Sequence, residues 1–415
     1  MTSRSVSERL ADIPAVRDRV LAAAHAGRAR PQNSGTDAAS GTASIADTYA
    51  LAHSWVVTGA PGSGRSQAVV AFTAALQCTD PTEIGCGKCA DCRAVFGGSH
   101  TDVVHIIPTE LSLGVPFVRA EIISQAHSMP TVGKWRVVIV ENADRLTREA
   151  ANALLKTVEE PPLRTIMMFC APSTDPEDFA VTLNSRCRHL YIPSPSVAEI
   201  ERILTTEENT TPEIARLAAH ASMRHIGRAR LLVNNPSMQA RRAQSLQLAA
   251  QIKRHESGFL AMSSLLKMID KEIAESFAAS DATEVEKMRQ SLGLGGKGKG
   301  VARANRDGTA HLRRLEESIK KRTTRRRRDR FDLALIDLAG LYRDALLVAI
   351  GSDIEPVHRD FAPLAAEIAA SVGESGLVAC LDAIEICRRH IAQNVPLHTA
   401  GDALIGRLRL AYGMK

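Results

Sequence analysis

Two groups of residues carry chemistry by their type and spacing. The first is Gly59-Ala60-Pro61-Gly62-Ser63-Gly64-Arg65-Ser66, which fits GxxxxGK[ST] at every place but one. Between a strand and a helix, such a turn lets backbone N–H groups wrap a phosphate chain, and the helix N-terminus adds favourable partial charge. Gly59, Gly62 and Gly64 supply the turn, Ser66 offers a hydroxyl to Mg²⁺, and Arg65 stands where the motif has Lys. Lys is a compact point charge and Arg a planar fork, so Arg65 can hold a phosphate without fitting the catalytic geometry. A glycine-rich turn without a ligand is the alternative. The second group is Cys78, Cys86, Cys89 and Cys92, half of the eight cysteines. Four closely spaced thiolates, with Gly85 and Gly87 allowing tight turns, suit a tetrahedral Zn²⁺ and leave no open position, so the metal would be structural. A redox CxxC pair and unliganded thiols stay open. Cys170, Cys187, Cys380 and Cys387 fall in or beside strand and helix segments and read as buried packing residues.

A third element bears on the first. Val137-Val138-Ile139-Val140 is an apolar run ending in Glu141 and Asn142. Phosphate-hydrolysing sites commonly end such a strand in two acids, one for Mg²⁺ and one to activate water. An amide at Asn142 cannot take a proton from water. Together with Arg65, this argues against hydrolysis by the chain and leaves ATP with Mg²⁺ an open cofactor.

The elements that must position these residues are short apolar runs at Ser54–Thr58, 103–107, 136–140, 165–171 and 188–192, separated by helical stretches. The first four suit parallel strands buried on both faces, and the alternation predicts a three-layer α/β domain. After Pro193 the character changes. Short helices are expected at 196–204 and 211–220, and only helices from Gln239 on. Phe331, Leu335, Leu338, Tyr342, Ala345 and Ala349 step by four and three, as one face of a helix does. The segments 27–46 and 293–308 read as flexible and low in complexity.

Composition bounds the rest. The chain has 415 residues, enough for two or three domains, with 45% hydrophobic and 24% charged residues. Aromatics make up only 4%, so aliphatic side chains must fill the cores. No run approaches the roughly 18 to 20 apolar residues of a membrane span. A soluble, cytoplasmic protein with no membrane partner is therefore expected. The net charge of +6 is concentrated between residues 320 and 330, where eight Lys or Arg face one Asp. This run could neutralise nucleic-acid phosphates. It contains no aromatic residue for base stacking, and a solvated surface is the bland alternative.

Several motifs then converge in order: the glycine turn, a four-cysteine insertion after its helix, the altered acidic strand end, and residues 152–162, Asn-Ala-Leu-Leu-Lys-Thr-Val-Glu-Glu-Pro-Pro. Ser173-Thr174-Asp175-Pro176 and residues 181–187, Val-Thr-Leu-Asn-Ser-Arg-Cys, follow. The stretch from about Ser54 to Pro193 closely resembles the bacterial clamp-loader family, the gamma/tau and delta-prime subunits of DNA polymerase III. The resemblance implies an AAA+ P-loop three-layer parallel sheet with a small zinc module (1–193, cysteines at 78–92). A small helical lid (194–238) and an all-helical collar (239–415) with a flexible basic insertion near 280–330 would follow. It implies a hetero-pentamer with gamma/tau and delta subunits that loads the sliding clamp on primed DNA, within a replisome at the nucleoid.

Residue by residue, the resemblance implies that Arg186 reaches a neighbour's ATP as an arginine finger; pairing with a nearby acid is the alternative. Ser173 and Thr174 match a position that senses the nucleotide, and Arg228 one that meets the subunit's own phosphates or lies on a helix surface. The departures at Arg65, Glu141 and Asn142 point to the delta-prime branch, whose own site is non-catalytic or weak. An ATP-hydrolysing gamma/tau-like subunit and a nucleic-acid-binding regulator on the same fold are the rival readings.

Overall fold

The computed structural model describes residues 4–29, 51–108, 110, 112–252, 257–292 and 301–414, with side chains at 301–308 and 310 left aside. The expected flexible segment at 27–46 lies largely outside these residues, as does 293–300. The chain divides into two compact units, one of residues 1–199 with 224–226, the other of 200–223 with 227–415.

The first unit contains a five-stranded parallel sheet. Its strands are β1 (Ser54–Thr58), β2 (Val103–Ile106), β3 (Arg136–Val140), β4 (Thr165–Ala171) and β5 (Arg188–Tyr191), in the order β2-β3-β4-β1-β5. The strands rich in Val, Ile and Met occupy the centre: every residue of β1, β3 and β4 is buried, whereas edge strand β2 is mostly half-buried and edge strand β5 largely exposed. Side chains alternate across the sheet. Val57, Val137, Ile139, Ile166 and Met168 enter one apolar layer with Phe72 and Trp55. Val56, Val138, Val140, Met167 and Phe169 enter the opposite layer with Val118, Ile122 and Leu154.

The first layer is built from α1 (Val6–Arg9), α2 (Pro14–Ala29), α3 (Arg65–Gln77) and α4 (Ala90–Phe96). Trp55 packs edge-on to Phe72 at 5.0 Å. The second layer uses a helical stretch over 115–126, α5 (Arg148–Glu159) and α6 (Val181–Asn184). Thr147 caps α5 by accepting from the Ala150 N–H. Strand β1 lies between β4 and β5, so the chain reverses its winding there. In parallel α/β sheets the crevice at the C-terminal end of such a strand is where ligands bind.

The second unit is helical throughout its described residues: α7 (Val197–Glu207), α8 (Pro212–Ala221), α9 (Ile226–Asn234), α10 (Pro236–Gln251), α11 (Ser257–Ser291), α12 (Val301–Ala349), α13 (Ala362–Ala392) and α14 (Leu397–Ala411). Phe331, Leu335, Leu338, Tyr342 and Ala345 lie on the buried face of α12 that their spacing predicts. With Leu266, Ile269, Leu377, Ile384 and Leu404 they form the core. Helix α13 is, by length and composition, apolar enough to cross a membrane, although polar residues interrupt its apolar run. Here Leu377, Cys380, Ile384 and Cys387 enter the core, and Gly373 at φ 73° breaks the helix. Residues 301–330, expected within a flexible insertion, are helical. The difference lies in a set of ion pairs between α11 and α12 that single-helix periodicity does not reveal.

A chain of buried charges also ties this unit together. Arg241, 1% exposed, holds both oxygens of Glu272, to which Arg330 adds a contact of 3.2 Å. Arg242 reaches both oxygens of Asp360, at 2.6 and 2.7 Å, and the His358 ring at 2.9 Å.

Candidate nucleotide site and metal centre

The glycine turn runs from the end of β1 into α3. The Gly59 N–H donates to the Pro172 carbonyl at 3.1 Å, and Ser63 N–H to the Ala60 carbonyl at 3.0 Å. A Cβ on Gly59 would stand 2.4 Å from the Ile192 carbonyl oxygen, and one on Gly62 would strike the His225 ring. Gly64 sits at φ 92° as the N-cap of α3 and offers no side-chain acceptor. The first-turn N–H groups of a 13-residue helix thus have no capping side chain. Beside them, Ser63 Oγ and Arg65 Nη1 are buried without a hydrogen-bond partner. Uncapped donors, an orphaned hydroxyl and an orphaned guanidinium nitrogen form a donor set that fits the phosphates of a nucleotide.

The acidic strand end faces this turn. Glu141, buried at the end of β3, accepts from His105 Nε2 at 3.1 Å. Burial pushes its carboxyl up. The hydrogen bonds from His105 and Ser66 and the charges of His105 and Arg65 outweigh that and hold it below the ordinary value. Ser66, the expected Mg²⁺ ligand, is thus within electrostatic influence of Glu141. Asn142 adopts the left-handed conformation, φ 51°, which asparagine tolerates well. Two residues on, burial raises the Asp144 carboxyl, with Arg145 and Arg65 opposing and Asp178 adding to the rise. Thr174 is half-buried in the loop after β4. Its neighbour Ser173 donates to Asp178 at 2.7 Å and accepts from the Asp175 N–H at 3.0 Å, so that hydroxyl serves its own loop.

Arg186 follows α6. Its guanidinium pairs with Glu159, the last residue of α5, and donates to the Thr182 carbonyl at 2.9 Å and Ser185 Oγ at 3.1 Å. The side chain remains 37% exposed. Arg228 is different: it is 4% exposed and ion-paired with Asp337, itself 2% exposed, inside the helical unit. Sequence reasoning missed His105, Glu159 and Asp144 as neighbours of the site. Glu159 lay in the Val-Glu-Glu-Pro-Pro motif, whereas nothing in the alternation of β2 marks His105.

The four cysteines meet in the first unit. Their sulfurs lie within 4.8 Å of one another, with Cys78 and Cys86 at 3.8 Å. Four sulfurs about 2.3 Å from a tetrahedral Zn²⁺ stand roughly 3.8 Å apart. Backbone N–H groups of Lys88 and Cys89 point at the Cys86 sulfur, and that of Cys92 at the Cys89 sulfur. Burial pushes the Cys89 thiol up, but N–H groups of Cys92 and Thr79 outweigh it and bring it down to about 6. A Cβ on Gly87 would stand 2.3 Å from the Arg4 carbonyl oxygen, which fixes that turn against the chain before α1. The donors fit a four-coordinate Zn²⁺ held by thiolates, which would staple this turn to α4 and α1.

A five-stranded parallel sheet in this order, carrying a glycine turn on its switch strand and a tetra-cysteine module, has the strand order and layering of an AAA+ P-loop fold. Residues 37–196 match the family described as DNA polymerase III, delta subunit. The DNA polymerase III subunit delta' of Escherichia coli (strain K12) is 34% identical over 174 residues, 40% of this chain and 51% of that protein. The subunit delta' of Yersinia pestis is 36% identical over 149 residues, 35% of this chain and 43% of that one. The tau/gamma subunit of Haemophilus influenzae is 30% identical over 178 residues, 41% of this chain and 25% of that one. A solved gamma subunit-related protein from Thermotoga maritima aligns with a TM-score of 0.40 at 16% identity, over 87% of this chain and 95% of that one. The chain spans about half or less of the length of the curated relatives it matches. Over residues 37–196 the chain is similar to the delta' and tau/gamma subunits of DNA polymerase III.

Proposed function

We propose that the protein is a delta-prime-type subunit of a clamp loader, a member of a hetero-pentamer with gamma/tau and delta subunits that loads the sliding clamp on primed DNA. Its own nucleotide site does not hydrolyse; its contribution is Arg186, delivered to a neighbour's ATP. The observation that carries this reading is the state of the site's acids. The place of the water-activating carboxylate holds Asn142, and Glu141 is engaged by His105. Neither group is free to take a proton from water.

In this reading Ser63, Arg65 and the first turn of α3 hold phosphates, with Ser66 and Glu141 beside them for Mg²⁺. When bound, ATP with Mg²⁺ supplies a polyanion that orders the turn. Arg186 acts elsewhere: a guanidinium at a γ-phosphate stabilises the charge that spreads over it during transfer. The exposed pair with Glu159 holds it only weakly, since surface ion pairs contribute about 0–1 kcal/mol.

The second reading, turnover by this chain, rests on Glu141 and Asp144 both lying within electrostatic reach of Arg65. Two measurements separate the readings. The isolated chain, incubated with ATP and Mg²⁺, is expected to release no phosphate above a blank. Mixed with a gamma/tau ATPase subunit and delta, it is expected to co-elute in one complex. Turnover abolished by Arg65→Ala would favour the second reading. Failure to assemble, with salt-sensitive DNA binding retained, would favour a nucleic-acid-binding regulator.

A further inference from the structure

The helical unit carries an arm that its core does not explain. The last buried residue of α11 is Ile273 and the first of α12 is Phe331. Between them no side chain among the described residues is buried, so the arm has no apolar core. Its two helices are joined by charge. Arg322 meets Asp281 and Glu284. Arg326 meets Asp281 at 2.9 Å and lies 3.7 Å over the Phe277 ring, and Arg327 meets Asp270. Much of the basic run is therefore neutralised within the arm.

Four exposed cations of α12 are not, and the half-buried Arg328 donates to Asn394 and not to a carboxylate. Arg313, Arg314, Lys320 and Lys321 are all exposed, and none has a carboxylate within ion-pair distance among the described residues. At 3.6 residues per turn they fall on an arc of α12 centred opposite Arg322 and Arg326, the side that meets α11. Arg313 and Lys320, like Arg314 and Lys321, are seven residues apart and so align along the helix, over a rise of about 10 Å. Glu317 is the acid within that arc, and Glu316 lies on its edge.

We propose that this stripe is a docking surface for the phosphate backbone of duplex nucleic acid. Protein partners are usually gripped through a desolvated apolar or aromatic centre, and this face has none. Phosphate binding needs only cations that displace condensed counterions, in any sequence. The pairing on the inner side of α12 has a further use, because it holds the arm straight without drawing on the outer cations. The proposal concerns the chain alone, so loss of the ring reading leaves it standing. If both hold, it gives the DNA partner a place on this subunit.

The test is fluorescence anisotropy of the full chain, without partners, on a labelled duplex of about 30 base pairs across 50 to 200 mM salt. The wild type is expected to bind with a steep salt dependence. Replacing Arg313, Arg314, Lys320 and Lys321 by Gln is expected to flatten the log–log slope by about 3 to 4, at roughly 0.9 per lost phosphate contact, and to weaken binding more than tenfold. The charge-conserving variant R313K/R314K/K320R/K321R is expected to keep the slope, and helicity by circular dichroism should match wild type in both. An unchanged slope in the Gln variant, or no wild-type binding at 50 mM salt, overturns the proposal. Equal affinity for polyglutamate of matched charge also overturns it, in favour of an acidic protein.

Discussion

Arg186 and Glu159 form an ion pair that joins the turn after α6 to the last residue of α5, with the guanidinium further held by the Thr182 carbonyl. The residue proposed to act on a neighbour is thus parked on its own subunit by a carboxylate from the adjoining motif. Both partners are more than a third exposed, at 37% and 46%. The pair is weak enough to exchange for a phosphate.

Glu159→Ala is therefore expected to shift the unfolding free energy by less than about 1 kcal/mol. In the assembled complex it is expected to leave ATP hydrolysis undiminished. Arg186→Lys is expected to lose hydrolysis despite keeping its charge, because an ammonium lacks the planar fork. Thermal melts and steady-state phosphate release check both. A Glu159→Ala complex that loses hydrolysis would make Glu159 a working part of the site.

The cysteine module is expected to hold one zinc per chain, measurable by elemental analysis of the purified protein. Cys86 and Cys92 sit in the same apolar cluster as Val6, Leu10 and Phe72, and the Val6 N–H donates to the Gly85 carbonyl. Metal removal by a chelator, or Cys86→Ser, is expected to loosen α1 and α4 and lower the melting temperature. The expected loss is several kcal/mol, because thiolate–zinc binding energy adds to folding energy. A protein that melts identically with and without chelator contradicts the assignment.

Asp102 is a second fixed point of the first unit. Its buried carboxylate accepts from Thr131 N–H and hydroxyl, Val132 N–H at 2.8 Å and Gly133 N–H at 2.6 Å. Burial pushes it up, but these donors outweigh burial and bring it down to about 2. A depressed carboxylate adds stability that is complete above the ordinary value of about 3.9 and is lost as pH falls towards the folded value. Asp102→Ala is expected to destabilise by about 2–4 kcal/mol at neutral pH, since it leaves several donors unpaired. It should also flatten the acid limb of a denaturant-midpoint profile.

His358 works in the opposite chemical sense with the same pH direction. Arg242 donates to its Nδ1, so Nε2 carries the proton and donates to the Asp337 carbonyl at 3.0 Å. Burial, aided by Arg242, lowers its pKa to about 3. The ring is neutral in the folded protein and takes a proton more readily when unfolded. Stability is therefore undiminished above the ordinary value near 6.5 and falls as pH drops from there towards 3. His358→Gln is expected to remove about one proton from that slope, read from unfolding curves between pH 4 and 7.

Much of this was legible in the chain. The apolar runs of β1, β3 and β4 are central strands because Val, Ile and Met fill both of their faces. The spacing of Phe331 through Ala345 marks a core face of α12. The Cys78–Cys92 cluster converges as its spacing and glycines imply. Interactions set by distant partners were not legible. Arg228 carries no sign of Asp337, over a hundred residues on. The arginines at 322–327 read as free charge until α11 supplies Asp270, Asp281 and Glu284. His105 looks like any polar residue of an edge strand until Glu141 is beside it.

The central claim is that this chain works through Arg186. It is tested most directly in a clamp loader reconstituted from the ATPase subunit, delta and this protein, with clamp and primed DNA. ATP hydrolysis is compared between wild type and Arg186→Ala at equal complex concentration. The account predicts that the Arg186→Ala complex assembles normally and loses the share of hydrolysis contributed by the neighbouring ATP site. Normal assembly with unchanged hydrolysis would contradict it and leave the protein a scaffold.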